Sequence, residues 1–354
     1  MNEHTPFIPE FDSVKEEEWK ERLERDLKGI GFDDLTTKDR NGIVIRPFYT
    51  QSDNPVQAPP LFQDWFIMER LSISRETNEK ALFLLNNGVS GLELLVDSGD
   101  DIRWDRVLKD IDLNYIFLKV SIHDRDLTAS VTGTLEAYLN QQYPLPGSLN
   151  IQVDSPAAFT TFGKTLSINA TIYNNAGSTA IFELGACLSQ INEALASVRE
   201  SDRLRDLDTI YINLSTDTQF FEQIAKIRAI RLMAEQVLRQ YDCNARIFLS
   251  VETSQVYLSA ADAPNNILRN AIAGMSAAIG GADSLLVHPF SYSERPEFTS
   301  RIGRNQQLLF KEESYLNAVA DKGYGSYFIE TYTQKHLRGI MEDFSKDRGY
   351  GWME

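Results

Sequence analysis

The sequence predicts an α/β fold, a (β/α)8 TIM barrel with an N-terminal helical arm. Apolar strand-like runs alternate with segments of helical periodicity, and 354 residues are enough for one large barrel domain plus an extra segment. Seven apolar runs are apparent. They cover residues 91–97, 115–122, 149–153, 166–172, 209–214, 245–251 and 284–288.

Most of the segments between these runs have the spacing of amphipathic helices. The strongest cover residues 179–199, 217–241, 265–278 and 300–321. Strand, helix and strand at this spacing indicate parallel strands joined by right-handed crossovers. A closed barrel needs eight strands, so we expect either an unrecognised strand or a local irregularity within residues 128–165.

The first 60 residues differ from the rest. Residues 1–60 are predicted to form an arm and connector, and residues 61–354 the barrel domain. A helix is expected over residues 13–29, because Ser13 and Glu16 match a capping box.

The arm helix has one narrow apolar stripe. Trp19, Leu23 and Leu27 recur every four residues on an otherwise charged helix, and Gly29 is a plausible stop signal. So narrow a stripe is typical of a helix that lies on another surface. We therefore predict that these three side chains form an interface with another subunit.

Composition narrows the choice of partner. A net charge of −16 repels phosphate backbones and anionic lipids, which argues against nucleic-acid or membrane binding. No apolar run approaches the roughly 20 residues of a membrane span, and residues 1–10 lack a secretory pattern. We expect a cytoplasmic protein, with Cys187 and Cys243 as reduced structural thiols.

Motifs for metal or nucleophilic chemistry are weak. The four histidines are scattered, without a pair at i, i+4, so no metal site is predicted. His288 ends a predicted strand, where a parallel barrel places its active site, and Arg301 and Arg304 follow. One interpretation of the chain is therefore an unrelated barrel enzyme whose active site uses these three residues.

Short segments occur in an order typical of one enzyme family. They are residues 225–231, 253–254, 262–269, 279–283, 301–305 and 325–330. With Glu18-Trp19 and Pro47-Phe48-Tyr49 in the arm, they make the chain resemble the methylmalonyl-CoA mutase family, the adenosylcobalamin-dependent acyl-CoA carbon-skeleton mutases. The resemblance implies a TIM barrel and an isomerase of propionate metabolism, which interconverts succinyl-CoA and methylmalonyl-CoA.

The chain departs from catalytic members of that family where the chemistry should lie. Where they carry Thr-Ile-Arg-Gln-Tyr, residues 66–70 place Met68 at the Arg position and Arg70 at the Tyr position. Where they carry Gly-Tyr-His-Met-Gln-Glu-Ala-Gly, Ile172 replaces the His. An isoleucine cannot donate a hydrogen bond to a thioester carbonyl. Met68, Arg70 and Ile172 are therefore interpreted as degenerate catalytic positions.

The cobalamin motif Asp-x-His-x-x-Gly is matched poorly. Residues 334–339 begin with Gln334 in a helical pattern, so the match is interpreted as chance, and no cobalamin-binding domain is expected in this chain. The resemblance implies the non-catalytic small (beta) subunit of a heterodimer, without catalytic, cofactor or metal residues. Its partner would be the homologous catalytic large subunit, which would hold adenosylcobalamin. The alternative is a divergent acyl-CoA mutase barrel that binds a CoA ester and takes cobalamin from a separate protein.

Overall fold

A computed structural model of the chain describes residues 14–53, 64–97, 102–143, 149–156, 159–292 and 296–348. The arm contains helix α1 (Glu16–Asp26) and a two-stranded antiparallel hairpin, β1 (Thr37–Lys38) and β2 (Val44–Ile45). The remaining strands are β3 (Phe66–Ser72), β4 (Gly91–Val96), β5 (Phe117–Ile122), β6 (Ile151–Asp154), β7 (Phe159–Phe162), β8 (Thr165–Asn169), β9 (Thr209–Thr216), β10 (Arg246–Thr253) and β11 (Ser284–Leu286).

Helices follow most of these strands. They are α2 (Thr77–Leu85), α3 (Trp104–Val107), α4 (Thr128–Gln142), α5 (Thr171–Asn175), α6 (Ala180–Glu200), α7 (Phe220–Gln240), α8 (Asn266–Gly280), α9 (Pro296–Glu312) and α10 (Tyr327–Arg348). Among the described residues, no helix combines the length and the apolar character that a bilayer crossing requires.

The large sheet has nine strands in the order β6-β5-β4-β3-β11-β10-β9-β8-β7. Every neighbouring pair is parallel except the β7–β8 hairpin. The eight parallel strands form a nearly closed barrel, which confirms the predicted fold class. Side chains link β6 to β8: Gln152 Nε2 donates to Ser167 Oγ at 2.8 Å, and Asn169 Nδ2 to Asp154 at 3.0 Å.

The irregularity expected within residues 128–165 lies at this closure. There β6 is followed by the antiparallel strand β7, which turns directly into β8. The eighth barrel strand, however, is not in that stretch. It is β3, which pairs with both β11 and β4. The apolar-run criterion missed β3 because Glu69 and Arg70 interrupt it.

Two predicted element boundaries were wrong. The run over residues 166–172 stops as a strand at Asn169, where its pairing with Asn213 of β9 ends, and Ile172 lies in the short helix α5. The helix predicted over residues 300–321 ends at Glu312.

Most apolar strand residues face outward, toward the helices. Leu92, Leu94 and Leu118 belong to one such core cluster, and Ile210 and Ile212 belong to another. Strands of a parallel barrel are buried on both faces, which is why their sequences are nearly continuous apolar runs. The barrel axis is therefore lined by the alternate residues, which are mostly aromatic or polar and include Met68 and Leu286.

Helix α1 packs within the arm. It begins at Glu16, and its predicted start at Ser13 lies outside the described residues. Gly29 has a positive φ of 105°, consistent with its predicted role as a stop. Trp19 packs on Phe48, with ring centroids 3.8 Å apart, and against Phe32 at 6.4 Å.

Candidate functional site

The C-terminal half of the barrel interior contains a network of ion pairs. Arg70 of β3 lies between two carboxylates: its Nε is 2.7 Å from Glu93 of β4, and its Nη2 is 2.7 Å from Glu252 of β10. Lys119 of β5 lies 3.2 Å from Glu93 and 3.8 Å from Asp154 of β6. Four neighbouring strands and β10 are thus connected across the axis.

Strand register creates this network. Arg70 is paired in register with Glu93, and Glu93 with Lys119, so inward positions of adjacent strands carry alternating charges. Burial by itself would raise the pKa of Glu93, but Lys119 and Arg70 outweigh it and lower the pKa to about 2. Burial lowers the pKa of Lys119, yet Glu93 and Asp154 reverse the direction and raise it. Both groups are therefore charged at neutral pH.

His288 extends the network toward the barrel mouth. Its Nε2 lies 3.3 Å from Glu252, and its Nδ1 lies 2.8 Å from the hydroxyl of Tyr292. Burial raises the pKa of Tyr292 to about 12, so its phenol is protonated at neutral pH. The sequence placed His288 at the mouth correctly. Its ring is buried between the partners Glu252 and Tyr292.

The N-terminal half of the interior is aromatic. Phe117, Tyr211 and Phe248 meet on the axis, with ring centroids 4.7–5.6 Å apart. Gly91 makes room for Met68 beside this layer, because a Cβ at this position would overlap the Met68 sulfur and approach the Phe117 carbonyl oxygen to 3.1 Å. This layer closes the axis with large side chains.

Little free space remains between the aromatic and charged layers. A cavity of about 10 Å³ is lined by residues that include Met68, Glu93, Lys119 and Asn213. That volume holds about one water molecule. This cavity is therefore too small to hold a pantetheine chain.

The three degenerate positions are separated in the fold. Met68 is buried on the axis beside Gly91, and Arg70 lies one inward position further along β3, in the ion-pair network. Ile172 is in α5, just after β8, and is 54% exposed. Its chain neighbour Thr171 lines the small axial cavity. Met68 and Arg70 thus lie inside the barrel. Ile172 lies outside it, just beyond the C-terminal end of β8.

Trp19, Leu23 and Leu27 do not enter the barrel core. Trp19 is 37% exposed, Leu23 and Leu27 are half-buried, and no residue of α1 is fully buried. Part of the Trp19 surface is already used by Phe48 and Phe32 of the same arm.

The arginines considered from sequence have partners within the chain. Arg304 is buried and lies 3.0 Å from Glu69, so it is not a free anion site at the mouth. Arg301 lies over the ring of Phe298, at 5.5 Å from its centroid. Arg231 of α7 pairs with Asp283 at 2.6 Å. The interpretation as an unrelated enzyme that uses mouth arginines receives no support from these contacts.

His336 is unsuited to ligating a cobalt. It is completely buried inside α10, its Nδ1 lies 2.9 Å from the Tyr332 carbonyl oxygen, and its ring packs against that of Tyr332 at 4.6 Å. Burial lowers the pKa of His336. The segment fits a helix core and not a cobalamin loop. In the described parts of the chain, no three His, Cys, Asp or Glu side chains converge as a metal cluster.

The charged residues on the axis were missed from sequence, apart from Arg70. Glu93, Lys119 and Glu252 each interrupt an apolar strand at an inward position. A single charged residue in the middle of a buried strand is the sequence signal that could have identified them, since a buried charge must have a partner of opposite charge.

Together, the strand order and the side chains on the axis define a (β/α)8 barrel whose described interior is filled by an aromatic and a charged layer. Comparison with known proteins gives the family. The family model described as methylmalonyl-CoA mutase matches residues 142–353, more than half of the chain. This chain belongs to the methylmalonyl-CoA mutase family, as its sequence motifs predicted, and that family is cobalamin-dependent.

The relatives include both types of subunit. The methylmalonyl-CoA mutase small subunit of Porphyromonas gingivalis is 28% identical, over 94% of this chain and 62% of the relative. That of Propionibacterium freudenreichii subsp. shermanii is 26% identical, over 97% and 63%. The large subunit of Streptomyces virginiae is 24% identical, over 98% and 59%. The chain thus spans roughly three fifths of the length of these relatives.

Proposed function

We propose that the chain is the barrel part of the small, non-catalytic subunit of a methylmalonyl-CoA mutase. Its barrel, residues 61–354, would support the catalytic large subunit, which would bind the acyl-CoA and adenosylcobalamin. The observation that carries this proposal is the closed axis. Phe117, Tyr211 and Phe248 occupy one half, and the network around Arg70 occupies the other.

The degenerate positions support the same proposal. Met68 and Arg70 have structural partners, Gly91 and Glu93, and the cavity lined by Met68 and Glu93 measures only about 10 Å³. Ile172 carries no group that could donate a hydrogen bond. Small-subunit relatives that match nearly the whole chain support the assignment of subunit type.

The assembled enzyme would interconvert succinyl-CoA and methylmalonyl-CoA in the cytoplasm. In that complex the large subunit would supply the chemistry, and this chain would contribute stability and contact area. No step of the reaction is assigned to residues of this chain.

Ligand binding gives the first test. A ligand that binds the native state raises the melting temperature by mass action. We expect no shift with succinyl-CoA, methylmalonyl-CoA or adenosylcobalamin for the isolated chain, and a shift for the large subunit under the same conditions. A clear shift of the isolated chain with either acyl-CoA would instead favour a divergent barrel that binds a CoA ester.

Assembly gives the second test, through the proposed arm interface. Trp19→Ala with Leu23→Ala removes apolar area from the partly exposed stripe of α1, so binding to the large subunit should weaken at least tenfold, equivalent to roughly 1.4 kcal/mol. The melting temperature of the isolated chain should change little, because no α1 residue is fully buried. The control Glu17→Gln with Glu21→Gln changes exposed residues of the same helix. Unfolding of the isolated double mutant would contradict the interface assignment.

A further inference from the structure

The loop between β1 and β2 contacts the barrel through charged side chains. Arg40 Nη2 lies 2.6 Å from Asp217, and its Nε lies 2.9 Å from Glu222. The neighbouring Asp39 accepts a hydrogen bond from the Tyr332 hydroxyl at 2.5 Å. The loop therefore joins the arm to the start of α7 and to α10.

The site that receives Arg40 is made of barrel residues. The side chains of Asp217 and Glu222 are 0% and 3% exposed, and Asp217 also accepts from the Gln219 backbone N–H at 2.7 Å. Arg40 Nη1 donates to the Tyr257 hydroxyl at 2.6 Å. Two buried carboxylates and a phenol thus surround three different N–H groups of one guanidinium.

The loop also covers a charged layer beneath it. Asn41 donates to Glu222 at 2.9 Å and accepts from the Ile181 backbone N–H at 3.1 Å, near the N-terminus of α6. Below lies the fully buried pair of Lys226 and Glu183, 2.9 Å apart. Removing the loop would expose an unpaired carboxylate and a free helix-end N–H group.

Helix α1 is connected to this loop through aromatic contacts. Trp19 packs on Phe48, three residues after β2, and Tyr49 packs on Phe328 of α10 with ring centroids 5.2 Å apart. Lys335 of α10 donates to the Val44 carbonyl oxygen at 2.7 Å. The position of α1 is thereby set by the hairpin.

We propose that residues 39–42 are an anchor that binds the arm to its own barrel through a guanidinium site made of Asp217, Glu222 and Tyr257. The anchor holds α1 at a fixed place, so that the exposed side chains of α1 are presented to a partner subunit. It also keeps the arm from being exchanged between subunits. The partner's identity rests on the proposed function, whereas the anchor itself is a property of the isolated chain.

Hydrogen exchange of the isolated chain tests the anchor. In Arg40→Ala, we expect the amides of residues 39–45 and of residues 220–226 to exchange about tenfold faster or more, since local opening becomes easier. Amides of β9 and β10 should keep their wild-type rates. Arg22→Ala is the matched control, because Arg22 pairs with Asp26 on the surface of α1 and not with the barrel.

A graded variant and a charge exchange complete the test. Arg40→Lys keeps the charge but cannot serve both carboxylates and the phenol, so an intermediate rate is expected. Arg40→Glu combined with Glu222→Arg should restore part of the protection lost in Arg40→Glu alone. Unchanged exchange of residues 39–45 in Arg40→Ala would overturn the anchor, as would equal acceleration throughout the barrel strands.

The presenting role is measured separately, by binding to the large subunit. Arg40→Ala should weaken that binding severalfold, because α1 is no longer pre-positioned. If the wild-type chain binds the large subunit and Arg40→Ala binds it equally well, the presenting role is overturned. No binding by the wild-type chain would overturn the proposed function, while the exchange result would still decide the anchor.

Discussion

The two halves of the barrel interior are filled by opposite chemistry. In the N-terminal half, the rings of Phe117 and Tyr211 stack, and both rings are tilted against that of Phe248. In the C-terminal half, Arg70 and its neighbours form ion pairs and hydrogen bonds around Glu93. Two strands contribute to both halves: β5 carries Phe117 and Lys119, and β10 carries Phe248 and Glu252.

The difference shows two ways to fill the same space. Aromatic side chains stabilise by removing apolar surface from water, and each contributes by its own burial. Buried charges cost desolvation free energy, so they are tolerated only when every member has its partners. The aromatic half should therefore respond to mutations gradually, and the charged half abruptly.

The largest effect is expected from breaking the charged half. Glu93→Ala removes the carboxylate shared by Arg70 and Lys119, so the free energy of unfolding should fall by about 3–5 kcal/mol. Glu93→Leu with Lys119→Met removes charges of both signs and should cost clearly less. Urea denaturation of the three proteins measures this, and a smaller loss in the single mutant than in the double mutant would contradict it.

A crowding mutation tests where the two halves meet. Gly91→Ala places a methyl group against the Met68 sulfur, which must move, so we expect a loss of about 1–3 kcal/mol. Gly91→Ala combined with Met68→Ala should recover part of it. Gly133→Ala is the control, because a Cβ at Gly133 meets open space. Equal stability of Gly91→Ala and wild type would show that the axis is less tightly filled.

A conservative change in the aromatic half should have a smaller effect. Phe248→Leu keeps an apolar side chain but loses ring contacts with Phe117 and Tyr211, at a cost of about 1 kcal/mol. The same denaturation experiment measures it. A loss as large as that of Glu93→Ala would remove the distinction between the two halves.

The smallest effect is expected from mild acid. The pKa of Glu93 is lowered from 4.5 to about 2 in the folded chain, so its ionised form stabilises the fold above about pH 4.5. That contribution is lost as pH falls from 4.5 through 2. The stability difference between wild type and Glu93→Gln should thus be constant from pH 8 to 5 and shrink below 4.5. A difference that changes between pH 8 and 6 would contradict the assigned direction.

Several features could be predicted from sequence because they depend on local pattern. The outward apolar residues of β4, β5, β9 and β10 predicted the positions of these strands. The charged helix α1 with its single apolar stripe predicted an arm outside the barrel core. Motif position predicts Met68, Arg70 and Ile172 as degenerate catalytic positions.

The sequence by itself determined the strand and helix alternation, the family and the loss of the motif residues, because these are encoded by residue type and spacing. Only the tertiary structure decided that β3 is a barrel strand. Its polar residues Glu69 and Arg70 find their partners in Arg304, Glu93 and Glu252, which are distant in sequence. Pairing between remote residues has no local pattern, so it appears only when the strands are brought into register.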